Sequence, residues 1–489
     1  MAEHILVIDE GTTSTRAMLF TRSGECRDIA QMEITQHFPA PGHVEQDAGE
    51  IWDKTLACCR TVIERAGGAR RILAIGITNQ RETVVAWNRM TGEPLGRAIV
   101  WQDRRTADQC AQLRERGLEA LVQERTGLLL DPYFSATKMR WLLENESSVA
   151  EAGDDLCFGT IESWIAFKLT GGLHISDASN ASRTSLMPLG GDDWDAEMLE
   201  LFGVPRASLP AIVDSHGCYA STDPKILGAP IPICGMAGDQ QAASIGQARL
   251  TPGDTKATFG TGAFILSHSG SEPVRSANRL LSTVLFQQDG EREYALEGSI
   301  FVAGSLIKWL RDGLGILRSA AETAQLAASV PDNGGVMMVP ALSGLGAPHW
   351  RPDVRGMLDG LDFSTGAAHL ARAALEAIAH QASDLQAAFA ADGVAWNGLS
   401  IDGGMAANDW MAQDLADILD LPVERPNFIE TTALGAAMLA ACGAEMCDHI
   451  SEAADEMRGQ LTVFEPRMTA STRERRLNQW HDTLAKALG

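Results

Sequence analysis

Positive charge is in short supply in this chain. Its 40 Lys and Arg face 64 Asp and Glu, a formal net charge of −24. A surface of that sign repels DNA and RNA, which argues against a nucleic-acid partner. A small phosphorylated ligand stays open, because a nest of backbone N–H groups binds phosphate even within an acidic protein. Cysteine order is also missing. The nine cysteines are scattered apart from the neighbours Cys58 and Cys59, with no C-x-x-C pair. Neither a zinc ribbon nor a thioredoxin-type site is therefore expected, and reduced thiols in a cytoplasmic enzyme fit the pattern. No apolar run reaches the roughly 18 residues of a membrane span. The start, Met1-Ala2-Glu3-His4, has no basic segment and no long apolar stretch after it, so no signal peptide is expected. The glycosylation-like triplets at Asn145 and Asn180 are then chance matches. Finally, there is no Walker A segment and no G-x-G-x-x-G leading to a kinase lysine. Any phosphoryl transfer must use another scaffold.

What is present is an ordinary globular composition, 45% hydrophobic and 21% charged over 489 residues. That supports two to four domains at roughly 100–200 residues each. The opening residues read as strands: an apolar run over 5–8 ending at Asp9, a Gly/Thr/Ser turn over 11–15, a second run over 17–20, a turn at Arg22-Ser23-Gly24 and a third strand over 29–34. A helix is expected over 48–65, strands over 72–77 and 84–87, and mostly helix over 100–150. A similar start recurs in mid-chain. Residues 256–259 and 263–266 flank Gly260-Thr261-Gly262, and residues 281–286 and 294–296 flank Asp289-Gly290, a strong hairpin dipeptide. Two related α/β halves with a join near 246–252 follow from this, where Gly246, Pro252 and Gly253 cluster. Late helices are expected over 367–389 and 409–419, with a strand at 400–402 entering Gly403-Gly404.

Several segments could carry chemistry. Asp9-Glu10-Gly11-Thr12-Thr13-Ser14-Thr15-Arg16 fits a polar hairpin turn or a phosphate cradle, in which Gly allows close approach and hydroxyls donate. An Asp there could hold Mg²⁺ through water. Gly260-Thr261-Gly262 offers the same two readings in the second half. Asp239 follows an apolar run and small residues. It suits either a general base on a cleft floor or the N-cap of a helix starting at Gln240. Arg81-Glu82 could read vicinal hydroxyls, the Arg donating and the carboxylate accepting, or form a surface ion pair. Trp101 could pack on the carbon side of a polyol or sit in the core. Tyr133 is one of only three tyrosines.

Taken together, these segments resemble the FGGY family of carbohydrate kinases over essentially the whole chain. Tyr133-Phe134-Ser135-Ala136-Thr137-Lys138-Met139-Arg140-Trp141-Leu142-Leu143-Glu144-Asn145 fits the family's first signature. Gly356-Met357-Leu358-Asp359-Gly360-Leu361, then His369-Leu370 and residues 373–376, fits the second. Asn79-Gln80-Arg81-Glu82-Thr83, Val100-Trp101-Gln102, Arg104-Arg105-Thr106, Asp131-Pro132-Tyr133 and Gly238-Asp239-Gln240-Gln241 resemble the members that phosphorylate glycerol, more than those acting on xylulose or ribulose.

The resemblance implies an α/β fold: a two-domain actin-like, ribonuclease-H-like architecture with an interdomain cleft. Residues 1–247 would bind the polyol and residues 248–489 the nucleotide. It implies ATP and Mg²⁺ as cofactors, glycerol as acceptor, and a homo-oligomer, dimer or tetramer. By the same resemblance Arg81, Glu82, Tyr133, Asp239 and Gln240 hydrogen-bond the triol, Trp101 and Phe264 cover its carbon face, and Asp239 is the general base. Thr12, Thr13, Ser14 and Arg16 line the phosphate path. Thr261, Gly304, Gly404 and Asn408 hold the nucleotide with Lys308 beside it. Asp9, with Asp239, lies near Mg²⁺. Three residues depart from the family's usual choice: Glu10 and Lys308 where Gln is usual, and Asp103 where a smaller residue is. The alternatives are a kinase of another small polyol or ketose (erythritol, dihydroxyacetone, a pentulose), a non-catalytic ATP-binding protein of the actin fold, and a nucleotide hydrolase.

Overall fold

Three antiparallel strands open the chain in the computed structural model, which describes residues 3–489. Met1 and Ala2, at the head of the segment expected to lack a signal peptide, lie outside the described residues. The strands are β1 (His4–Glu10), β2 (Ser14–Thr21) and β3 (Cys26–Glu33). Gly24, at φ 78°, makes the turn into β3, which begins three residues before the expected start because Cys26 pairs with Phe20. Next, β4 (Ile72–Asn79) and β5 (Pro232–Gly238) run parallel to β1. The order is β3-β2-β1-β4-β5, with His216–Ser221 antiparallel at the far edge. The helix α1 (Ala48–Arg65) connects the hairpin to β4. Its first turn is capped by the Asp47 carboxylate, which accepts from the Gly49 and Glu50 N–H groups. It buries Ile51, Cys58, Cys59 and Val62 against the sheet.

The second half repeats the plan. β6 (Asp254–Phe259), β7 (Ala263–Gly270) and β8 (Glu291–Ile300) form an antiparallel meander, and β9 (Gly398–Asp402) and β10 (Val423–Pro426) continue it in parallel. The order β8-β7-β6-β9-β10 matches that of the first sheet, strand for strand and direction for direction. The edge strand Leu281–Gln288 joins β8 through Asp289 and Gly290, at φ 53° and 79°, the positive pair that a type I′ turn needs. The other edge is closed by Leu461–Phe464.

The parallel strands β1, β4 and β5 are buried on both faces, so helices must cover both. One covering helix comes from late in the chain. The helices α2 (Asp239–Gly246) and α3 (Thr431–Gly443) cross backbone against backbone. A Cβ on Gly435 would run into the Ala242 carbonyl, and one on Gly246 into that of Thr431. The helix α3 also shares a core with Ile5, Val7, Ala74 and Ala237 of the first sheet. The two halves are therefore joined through apolar packing, with each fully buried Leu, Met or Val worth roughly 1.5–3 kcal/mol. No helix among the described residues is long and apolar enough to cross a membrane.

Gly435→Ala tests this crossing. The added methyl is expected to cost about 1–3 kcal/mol, read as a lower denaturant midpoint with an unchanged slope. A midpoint equal to the wild type would contradict the backbone contact.

Candidate active site

The C-terminal ends of β1, β4 and β5 lie side by side, the position where open α/β sheets bind ligands. Beyond β1, the turn is held through its carbonyls and one hydroxyl. Gln46 Nε2 donates to the Thr12 carbonyl at 2.6 Å, the Ile34 N–H to that of Thr13 at 2.8 Å, and Trp101 Nε1 to Thr12 Oγ1 at 2.9 Å. The Thr13 and Ser14 hydroxyls have no hydrogen-bond partner among the described residues, and Thr13 is exposed. Arg16 is held by two carboxylates, Asp9 Oδ2 and Glu430 Oε2, each at 2.5 Å. Burial raises the Asp9 carboxyl above the usual range against the opposing pull of Arg16.

Arg81 and Glu82, beyond β4, are not a surface ion pair: their side chains are 2% and 1% exposed. Glu82 sits at φ 61°, a strained conformation for a non-glycine residue that surrounding contacts must hold. Ser135 Oγ and Lys138 Nζ do so, donating to the Glu82 carbonyl at 3.1 and 3.3 Å. Both belong to the helix Ser135–Asn145, which gives the Tyr133–Asn145 segment a physical task. Lys138 also donates to the Tyr133 and Phe134 carbonyls, and burial lowers its pKa to about 8.

Two buried residues that the sequence did not single out close this group. Glu297 of β8 accepts from Arg81 Nη1 at 2.6 Å and from Arg183 Nη2 at 2.8 Å, while Arg183 Nε donates to Glu82 Oε1 at 2.7 Å. Burial would raise the Glu297 carboxyl, but Arg183 and Arg81 together outweigh it and hold it below the usual range. Glu297 lies in the buried stretch of β8 in the other half, and no local pattern links it to Arg81.

Asp239 is the first residue of α2, with Gly238 in the cap position, which corrects the N-cap reading. Its Oδ1 accepts from the Gln240 N–H at 2.7 Å and faces Arg81 Nε at 3.3 Å. The side chain keeps 35% exposure. Burial pushes the carboxyl up, opposed by Arg81 and by Lys256. Lys256, on β6, was also missed. It donates to Gln240 Oε1 and to Thr258 Oγ1, and burial lowers its pKa to about 8. A lysine only donates, so it fixes the Gln240 amide with its oxygen inward and its NH₂ elsewhere. Trp101 stacks edge-on against Tyr133 at 5.7 Å and against Phe264 of the second half at 6.1 Å. All seven residues expected to hold an acceptor thus adjoin one another in one linked group.

Across from them, the Gly260-Thr261-Gly262 turn is locked to the helix Gly304–Lys308. The Thr261 carbonyl accepts from the Ala303 and Ser305 N–H groups at 3.0 Å, and the Gly304 N–H donates to the Gly260 carbonyl at 2.9 Å. A Cβ on Gly304 would collide with that carbonyl and lie 3.4 Å from the Met405 sulfur, so the segments at 304 and 404 adjoin. Gly404 opens the short turn Gly404–Ala407, and Asn408 caps the helix Asp409–Leu419 by accepting from the Met411 N–H at 3.0 Å. Lys308 is exposed, with no hydrogen-bond partner among the described residues. Asp402, at the end of β9, accepts from Gln247 Nε2 at 2.7 Å and from Thr431 Oγ1.

Residues 4–246 match the N-terminal domain, and residues 255–444 the C-terminal domain, of the FGGY family of carbohydrate kinases. The chain belongs to that family. It is 52% identical over 487 residues to a glycerol kinase of Rhodospirillum centenum, covering 99% of this chain and 97% of that one. It is 52% identical over 498 residues to a glycerol kinase of Methylobacterium nodulans, covering 100% and 99%. Among solved structures, Plasmodium falciparum glycerol kinase with ADP superposes with a TM-score of 0.94 at 33% identity, covering 99% of this chain and 98% of that one. The fold is the two-domain mixed α/β fold of FGGY kinases, of the actin-like ATPase class.

No cluster of three or more His, Cys, Asp or Glu able to hold a metal exists among the described residues of this FGGY kinase. Mg²⁺ does not need one, since it commonly takes one or two carboxylates, several waters and substrate phosphates. Asp9 Oδ1 and Asp239 Oδ2 have no hydrogen-bond partner among the described residues. Asp9 lies one residue before the end of β1 and Asp239 just past the end of β5, with one strand between those two and so about 10 Å apart at the backbone, a donor set that fits a largely hydrated Mg²⁺. Asp103 is structural: buried, it accepts from the Val44 N–H at 2.6 Å and pairs with Arg105 at 2.8 Å. Glu10 is buried too. Its Oε1 accepts from Thr15 and Thr55 at 2.7 and 2.5 Å, and its Oε2 has no partner.

Burial lifts the Glu10 pKa from the ordinary 4.5 to about 7. Between those values the folded chain keeps a proton that the unfolded chain has released, so stability falls as pH rises through the window. Glu10→Gln removes that penalty. The variant is expected to exceed the wild type by about 1–3 kcal/mol at pH 8 and by little near pH 4.5, read from thermal melts across pH. A difference that does not vary with pH would contradict the burial of a chargeable group here.

Proposed function

We propose that this FGGY kinase transfers the γ-phosphoryl group of ATP to glycerol, releasing ADP and glycerol 3-phosphate. The observation that carries the reading is the placement of Asp239. Its carboxylate is partly exposed beside Arg81, where both halves supply side chains: Trp101 and Tyr133 from the first, Phe264 and Lys256 from the second. Relatives named glycerol kinase at 52% identity, and the neighbour named glycerol kinase with ADP, support the acceptor and the nucleotide. Residues 1–247 form the acceptor-binding domain and residues 248–489 the nucleotide-binding domain.

Glycerol lies with its carbons against Trp101 and Phe264 and its hydroxyls toward Arg81, Glu82, Tyr133 and Gln240. Asp239 accepts the proton of the primary hydroxyl as that oxygen bonds to the γ-phosphorus and the bond to the ADP oxygen breaks. Burial raises the Asp239 carboxyl against the pull of Arg81 and Lys256, which strengthens it as a proton acceptor. Thr12, Thr13, Ser14 and Arg16 offer donors along the phosphate path, and Thr261, Gly304, Lys308, Gly404 and Asn408 bind the nucleotide. Asp9 and Asp239 would hold Mg²⁺ through water, an ion that offsets charge on the phosphoryl oxygens. The aromatic wall limits access of water, the competing acceptor. A cytoplasmic dimer or tetramer completes the proposal.

ADP release is to be measured with glycerol, erythritol, dihydroxyacetone, xylulose and no acceptor. Glycerol is expected to give the highest kcat/KM. A higher value for another acceptor would replace it, and equal turnover with none would make the protein a hydrolase. Asp239→Asn is expected to lower kcat by about 10²–10⁴-fold with glycerol binding largely kept. Near-normal turnover would remove the general-base role.

A further inference from the structure

Arg81 and Glu82 owe their orientation to two side chains outside the proposed acceptor set. A guanidinium carries its five N–H donors in one rigid plane, so fixing two edges fixes the third. Arg81 commits Nη1 to Glu297 Oε2 at 2.6 Å, with Gln241 Oε1 at 3.3 Å, and turns Nε toward Asp239 Oδ1 at 3.3 Å. Only the Nη2 edge is left, with the Tyr133 hydroxyl at a long 3.5 Å. Glu82 commits Oε1 to Arg183 Nε at 2.7 Å, and its Oε2 has no partner among the described residues. Arg183 reaches Glu297 Oε1 with Nη2 at 2.8 Å, closing a ring of two cations and two anions. On Arg81 and Glu82 themselves, one donor edge and one acceptor oxygen remain uncommitted, the complement of a hydroxyl that both gives and takes a hydrogen bond.

We propose that Arg183 and Glu297 are positioning residues that select which edges of Arg81 and Glu82 meet the acceptor, and so set the preference for a triol over a diol. This inference rests on the glycerol reading above. Glu297 is the informative member. It belongs to β8 of the second half, whereas the other three belong to the first, so the second half aligns the hydroxyl readers of the first. Without its charge, Arg81 and Arg183 face each other unshared, and the fork on Arg81 loses its anchor. An ion network that served stability alone would weaken the fold and all acceptors alike. A positioning network changes the ratio between acceptors, because a site built to bond a hydroxyl rejects an analogue lacking it.

The test compares wild type and Glu297→Gln for glycerol, propane-1,2-diol and propane-1,3-diol, each diol lacking one hydroxyl. The expected result is at least a tenfold fall in the glycerol-to-diol ratio of kcat/KM for one diol, with the KM for ATP unchanged. Equal loss for all three acceptors, or no loss, would overturn the proposal. A crystal structure of Glu297→Gln without acceptor gives a second, acceptor-independent readout. It is expected to show the Arg81 guanidinium turned from its place beside Glu82, and an unmoved Arg81 would overturn the proposal. If Glu297→Gln does not fold, Arg183→Lys, which keeps charge and loses the fork, is read in the same two ways. A wild type that releases no ADP with glycerol would count against the acceptor reading, while the Arg81 placement still decides this inference.

Discussion

Charge taken out of water has to be matched, and this chain buries four charges where its two halves meet. Arg81, Glu82, Arg183 and Glu297 are each 0–2% exposed. Deleting one partner of such a set costs roughly 3–5 kcal/mol, a large share of the 5–15 kcal/mol or so that holds a protein folded. The ring is therefore a fixed point, and neighbouring groups take their places from it. Asp239 faces the Nε of Arg81, and Tyr133 its Nη2. The strained backbone at Glu82 is stabilised by Lys138 and Ser135. The opposite end is built differently. Thr13, Thr261, Gly404 and Lys308 are exposed, and the turn at 260–262 is held mainly by backbone hydrogen bonds. Such an arrangement suits a small acceptor gripped deeply and a larger nucleotide that enters and leaves.

The repeated sheet explains why both ends exist. Each half sends the C-terminal ends of its parallel strands toward the other, carrying Asp9 and Asp239 from one and Asp402 from the other. Because α3 from late in the chain covers the first sheet, the halves are joined by apolar packing on one side and by the charged ring on another. Between them lies the space in which Trp101 meets Phe264.

Much of the fold was legible because it is written locally. The hairpins carry their own turn residues, Gly24 and Asp289-Gly290, and α1 carries its cap at Asp47. The repeated strand–turn–strand start at 5–20 and 256–266 marked two similar halves. The grouping of the candidate residues was legible where a motif supplies neighbours, as with Asp239 beside Arg81 and Trp101 beside Tyr133 and Phe264. It was hidden where a residue acts across the chain. Glu297 is one of three glutamates in β8, nothing local sets it apart from Glu291 and Glu293, and only the folded sheet brings it to Arg81. Arg183 lies in a polar segment that packs inward. Lys256 reads as one polar residue in a strand, although it is buried against Gln240. Arg81-Glu82 fitted a surface pair by local pattern, because burial of two adjacent charges depends on partners 101 and 216 positions away.

A crystal structure with glycerol and a non-hydrolysable ATP analogue addresses the central claim most directly. The account predicts an Asp239 carboxylate oxygen within about 2.6–3.2 Å of a primary hydroxyl, with that hydroxyl in line with the terminal phosphorus. An acceptor bound away from Asp239, or a terminal phosphate out of line with its hydroxyl, would contradict it.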